Sequence, residues 1–185
     1  MQRSVRYTLA MIMLVVASMA SARPGEGDVP PDYLGRDRSG NEIHVSALRG
    51  KVVIVTFWAS WCGYCMKELP ILAAIQKLAG PAQLQVVAVS HDDSLDIFTK
   101  IRNKLKDLDL ILTYDAGDQR IAKPYGVKGI PHMVMIGRDG RIAHTHVGYG
   151  EDMLDDIASE INELLAAPAP PTNAAPASPV AVASP

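Results

Sequence analysis

The chain has 185 residues, 48% of them hydrophobic and 21% charged, with a formal net charge of −2. That length is enough for one domain with a sizeable core. The charge is spread without any basic block, so the electrostatic footprint expected of a nucleic-acid binder is missing.

Met1–Ala22 begins with Arg3 and Arg6, continues through the apolar run Leu9–Ala17, and ends in Ala20-Ser21-Ala22. A charged start, an apolar centre and small residues at the end are the pattern of a cleaved export signal. The apolar run is too short for a comfortable membrane span, so an uncleaved anchor is the lesser alternative. Removing this leader takes away two arginines and no acid. The mature chain then holds 16 basic and 20 acidic residues, a net charge of −4. Export places the two cysteines in an oxidising compartment, here the periplasm.

Residues 23–30 read as a linker rich in Gly, Pro and acid. Tyr33–Leu34 and Glu42–Val45 suggest a short hairpin around Gly35–Asn41. Val52–Trp58 is nearly continuous apolar and β-branched, which predicts a central strand buried on both faces. Cys62–Ala79 predicts a helix whose stripe Leu69, Leu72, Ala73, Gln76, Ala79 faces the core and which Gly80-Pro81 stops. Pro70 falls inside it and removes a hydrogen bond to Met66. Leu84–Ser90 predicts a second buried strand. Asp92-Asp93-Ser94 offers caps for a helix through Lys106. Leu110–Tyr114 predicts a short strand and Ile121–Tyr125 a helical turn. His132–Ile136 and Ile142–Val147 predict a hairpin across Asp139-Gly140. Asp152–Leu165 predicts a closing amphipathic helix. The expected fold is α/β, a mixed central sheet with helices on both faces, spanning residues 31–166. Residues 167–185, almost all Ala, Pro, Ser and Val, read as a disordered tail with too little apolar surface to offset its ordering entropy.

The only two cysteines stand in Trp61-Cys62-Gly63-Tyr64-Cys65, directly after the buried strand. A C-x-x-C that opens a helix suits dithiol/disulfide exchange. Attack on a disulfide needs a thiolate, and the unpaired N–H groups of a helix N-terminus favour the anion. A zinc site would need four ligands, and no second pair with ligand spacing exists. A structural disulfide would close a tiny loop and stabilise little. Cys62, ahead of the first turn, is the expected nucleophile, and Cys65 the thiol that resolves the mixed disulfide. His144 and His146 share a strand face, where a solvated surface is the commoner arrangement than a metal site. His91 and His132 are expected at the surface or behind the site. Met133 and Met135 read as core. The two thiols carry the electrons themselves, so no cofactor and no metal is expected.

Four features together resemble the thioredoxin superfamily, and more narrowly its exported TlpA/ResA-like thiol-disulfide oxidoreductases. Phe57-Trp58-Ala59-Ser60-Trp61-Cys62-Gly63-Tyr64-Cys65 is similar to the family's active-site run. Pro70 is similar to its helix proline, and Tyr125-Gly126-Val127-Lys128-Gly129-Ile130-Pro131 to the segment ending in its cis-proline. Leu48-Arg49-Gly50-Lys51 and Glu68 resemble the branch associated with membranes and cytochrome maturation. The resemblance implies a thioredoxin-like fold and disulfide chemistry. It implies that Pro131 faces the dithiol, with the backbone of Ile130 meeting an extended client peptide. Trp61, Gly63 and Tyr64 would line that contact, Trp61 over the disulfide, while Trp58 belongs to the core. Where cytosolic relatives carry a buried aspartate this chain has Thr56, and the exported branch implies that Glu68 takes the proton. Gly63-Tyr64 also departs from the Glu-Pro that many of that branch carry between the cysteines.

The expected function is therefore an exported reductase of protein disulfides, placed by the resemblance in cytochrome c maturation. Its partners would be a dithiol client and a membrane electron donor, and it would work as a monomer. A disulfide-forming oxidant is the alternative. A copper-binding chaperone is a lesser one, since copper-delivery relatives use a CxxxC spacing.

Overall fold

The computed structural model describes residues 23–169. The leader expected over Met1–Ala22 lies outside the described residues, as does the expected tail from residue 170 onward.

A short antiparallel pair comes first, β1 (Tyr33–Arg36) with β2 (Glu42–His44). The connecting turn is held by Asp37, whose carboxylate accepts the N–H groups of Ser39 and Asn41. β3 (Val52–Trp58) is buried at every position, as its nearly continuous apolar run, broken only by Thr56, predicts. α1 (Gly63–Ala79) follows, then β4 (Leu84–Ser90), α2 (Leu95–Lys104) and β5 (Ile111–Tyr114). β6 (His132–Ile136), β7 (Ile142–Val147) and α3 (Leu154–Ala166) complete the order. The main sheet runs β5-β4-β3-β6-β7. β3, β4 and β5 are parallel, and β6 and β7 join antiparallel. β3 therefore sits at the centre, and its C-terminal end delivers the cysteines to the edge of the sheet.

Strand alternation divides the core in two. Val52, Ile54 and Trp58 face α1, α2 and α3, meeting Leu69 and Leu72 from α1, Phe98 from α2, and Ile157 and Ile161 from α3. Val53, Val55 and Phe57 face the other way, toward Leu34, Val45, Ile121 and Tyr125. Helical cover on that second face comes from the 3-10 helix Val45–Leu48, with the β1-β2 pair and the turns around Ile121 beside it. Gly35 lets β1 lie close: its φ is +101°, and a Cβ there would stand 2.8 Å from the Thr113 side chain.

Several boundaries moved for identifiable reasons. Ile121–Tyr125, expected as a helical turn, forms hydrogen-bonded turns that do not extend into a helix. The Asp115 carboxylate accepts the N–H groups of Ile121 and Ala122 at 3.1 and 2.8 Å, and Pro124 has no N–H to continue a ladder. α2 begins at Leu95 because Ser94, of the three possible caps, accepts the Ile97 N–H. α1 runs unbroken through Pro70. Its buried Gln76 is fully used: its carbonyl accepts the Val86 N–H and its amide donates to the Asp109 carbonyl, locking α1 to β4 and to the turn before β5.

Candidate functional site

β3 ends at Trp58, and the chain turns through Ala59-Ser60-Trp61 into α1. Asp93 shapes this turn. Its carboxylate accepts the Ser60 N–H at 3.0 Å, the Ser60 hydroxyl at 2.6 Å and the Ser90 hydroxyl at 2.8 Å. The carboxylate thus ties the end of β4 to the segment just before the cysteines. The sequence offered Asp93 only as a helix cap; its partner Ser60 is 33 positions away and belongs to another element.

Cys62 is the N-cap of α1, and its Sγ accepts the Cys65 N–H at 3.1 Å. The two cysteines are joined by a disulfide. Cys62 is 7% exposed and Cys65 fully buried, so Cys62 is the more accessible of the two sulfurs. In the reduced protein the same N–H, with the other unpaired amides of the first turn, would favour a Cys62 thiolate. Gly63 and Tyr64 occupy the first turn, where Tyr64 stands exposed with the Lys67 ammonium over its ring. Trp58 is buried in the core, as expected, while Trp61 is 65% exposed and offers most of its ring to solvent.

Glu68 lies three residues beyond Cys65 on the same helix and is only 3% exposed. Its Oε2 accepts the Thr56 hydroxyl at 2.9 Å. Burial pushes the carboxyl up to about 7, and the Thr56 hydrogen bond only partly opposes this. Thr56, in the position the resemblance gives to an aspartate, thus holds the carboxylate instead of supplying one.

The Ile130–Pro131 peptide is cis, and Ile130 packs against the cluster that contains Cys62 and Cys65. The Pro131 carbonyl accepts the Gly148 N–H at 2.8 Å, which fastens this loop to the end of β7.

His132, expected at the surface or behind the site, is buried, edge-on to Phe57, with no hydrogen-bond partner for either ring nitrogen among the described residues. Strand alternation puts it on the inward face of Val134 and Ile136. Burial and the nearby Arg23 charge hold its pKa down, so the ring is neutral. His144 and His146 do not form an open solvated face: both turn to Glu160 of α3, with His146 Nε2 at 2.6 Å and His144 Nδ1 at 3.7 Å. Among the described residues no group of three His, Cys, Asp or Glu side chains is spaced to hold a metal ion.

Comparison with known proteins agrees with this geometry. The Redoxin family model matches residues 26–162. The chain is 30% identical over 116 residues to the thiol-disulfide oxidoreductase ResA of Bacillus thuringiensis subsp. konkukian, covering 63% of this chain and 66% of that protein. It is 27% identical over 164 residues to the thiol:disulfide interchange protein CycY of Rhizobium leguminosarum bv. viciae, covering 77% of this chain and 86% of that protein. Among solved structures, one from Chlorobium tepidum assigned as a thiol:disulfide interchange protein DsbE superposes with a TM-score of 0.71 at 29% identity. That match covers 77% of this chain and 99% of the other.

Proposed function

This chain belongs to the Redoxin family, as a thioredoxin-like thiol-disulfide oxidoreductase, and we propose that it works as an exported reductase of protein disulfides. The observation that carries the site assignment is the head of α1. A partly reachable sulfur caps the helix, a buried partner sulfur lies one turn in, and a buried carboxyl follows three residues later.

In the forward reaction the Cys62 thiolate attacks one sulfur of a client disulfide. A Cys62–client disulfide forms and the client's other sulfur leaves as a thiolate, which takes a proton from water. Cys65 then loses its proton to Glu68 and attacks Cys62. The Cys62–Cys65 disulfide forms, and the client is released with both sulfurs reduced. Two electrons have passed to the client, and a membrane donor returns two to the pair. Ile130 offers backbone groups to an extended client segment beside the dithiol, and Trp61, Gly63 and Tyr64 line the same contact. The clients are periplasmic dithiol proteins, with apocytochrome c, implied by the resemblance to the exported branch, the first to test. The protein acts as a monomer.

Equilibrating the Cys62–Cys65 pair against glutathione tests the direction. A potential below about −250 mV supports a reductant, whereas one near about −120 mV would make the protein an oxidant.

Export has its own test. Cleavage after Ala22 leaves Arg23 as the first residue, and N-terminal sequencing of protein taken from the cell envelope is expected to begin at Arg23. A chain that still begins at Met1 in a membrane fraction would replace the cleaved signal with an anchor.

A further inference from the structure

Glu68 does not end in solid core. It lines a cavity of about 250 Å³ between α1 and α3 whose other walls include Leu72, Met133 and Ile157. The wall is apolar except for Glu68 at the inner end and Tyr149 and Asp155 toward the outside. Ala158, on the exposed face of α3, also borders it. Tyr149 has a second contact. Its ring lies 6.2 Å from that of Tyr64, the second of the two residues between the cysteines. The loop that carries it is pinned at Gly148, whose N–H bonds the Pro131 carbonyl and whose φ is +90°. Tyr149 therefore stands between the dithiol face and the cavity.

We propose that this cavity is the route by which Glu68 exchanges its proton with bulk water, and that Tyr149 is the positioning residue that sets how freely water enters it. The proposal rests on Glu68 accepting the Cys65 proton. A buried carboxyl that takes up a proton in each cycle must also lose it, and the disulfide side is closed by Cys65, which is fully buried. A cavity of this size holds several waters once a polar group at its inner end can bind them. Among the described residues, burial and the Thr56 hydrogen bond alone set the Glu68 carboxyl, and no other charge acts on it. On α1 the neighbours are Cys65 and Lys67, with the Lys67 ammonium over the Tyr64 ring. β3 contributes Thr56, which is uncharged, and β6 contributes Met133. α3 contributes Asp155 at the exposed end, while its Glu160 is paired with His146.

The test follows the Glu68 carboxyl carbon by NMR through a pH titration of the full-length reduced protein. Tyr149→Ala widens the opening and is expected to lower the Glu68 midpoint. Ala158→Phe, at an exposed position that should tolerate it, plugs the opening and is expected to raise it. A rise of about half a pH unit roughly halves the deprotonated fraction at pH 7, and release from the mixed disulfide should slow about twofold. Tyr149→Phe keeps the ring and is expected to behave as the parent. A merely structural Tyr149 would alter stability but leave the midpoint in place. Unchanged midpoints in both Tyr149→Ala and Ala158→Phe, or shifts in the same direction, overturn the proposal. The carboxyl titration reports water access even if Glu68 proves idle in exchange. In that case the midpoints move and the release rates do not, and the failure belongs to the role of Glu68 rather than to the route.

Discussion

Cys62→Ser is expected to reduce disulfide exchange to background, and Cys65→Ser to leave the protein covalently joined to its client. The asymmetry comes from position on one helix. Cys62 caps α1, is the more exposed of the two cysteines, and has the Cys65 N–H aimed at its sulfur. Without that sulfur no mixed disulfide forms. A serine hydroxyl in its place has too high a pKa to be an anion at neutral pH, so the loss should be on the order of a thousandfold or more. Cys65 is fully buried and cannot meet a client, yet it is placed to attack Cys62 from within. Cys65→Ser therefore keeps the first step and blocks the second, and a Cys62–client adduct should accumulate on non-reducing gels. Alkylation of the reduced parent protein at limiting reagent gives an independent check. Modification should fall on Cys62, and preferential labelling of Cys65 would exchange the two roles.

What the sequence made legible is what has a local cause. The nearly continuous apolar run Val52–Trp58 predicts a strand covered on both sides, and it is the centre of the sheet. The stripe Leu69, Leu72, Ala73, Gln76 is buried on α1, and the Asp139-Gly140 turn sits where β6 reverses into β7. What stayed hidden depends on chain segments that meet only after folding. Ser60 and Asp93 are 33 positions apart, and Thr56 and Glu68 come from a strand and a helix. His132 was readable in principle. It alternates with Val134 and Ile136, and that period puts it on their buried face, but its place next to the expected cis-proline left the surface and a position behind the site both open. Tyr149 lies in a Gly-Tyr-Gly loop without periodicity, and its importance comes from Tyr64 and from a cavity between two helices. No local pattern announces either.

Glu68→Gln is expected to separate two consequences of one buried carboxyl. The first is kinetic. The parent's release from the mixed disulfide should accelerate as pH rises through about 7, where Glu68 becomes able to accept the Cys65 proton. The glutamine fits the same space and can still accept the Thr56 hydroxyl, but it takes up no proton. Stopped-flow reduction of a model disulfide between about pH 5 and 9 should show that step missing and release slowed on the order of a hundredfold at pH 7, the low end of what general-base removal produces. Identical profiles would return Glu68 to a purely structural role. The second consequence is thermodynamic. Folding raises the Glu68 carboxyl from 4.5 to about 7, so between these values the folded state holds a proton that the unfolded state has lost. Stability must then fall as pH rises across that window, and level off above it. The full difference amounts to about 3 kcal/mol, an upper figure because some water reaches the cavity. Below the lower value both states are protonated and the group contributes no slope. In denaturant unfolding of the oxidised protein, Glu68→Gln should remove this decline, so the variant gains on the parent at pH 8 while remaining close to it at pH 5. A variant that is destabilised equally at both pH values would show that the amide is poorly accommodated and that the carboxyl carries no charge cost in the fold. The two measurements are independent because unfolding of the oxidised protein involves no thiol chemistry. A kinetic midpoint near pH 7 and a decline in stability that levels off at about the same pH would tie the kinetic step to the same proton that burial forces onto Glu68.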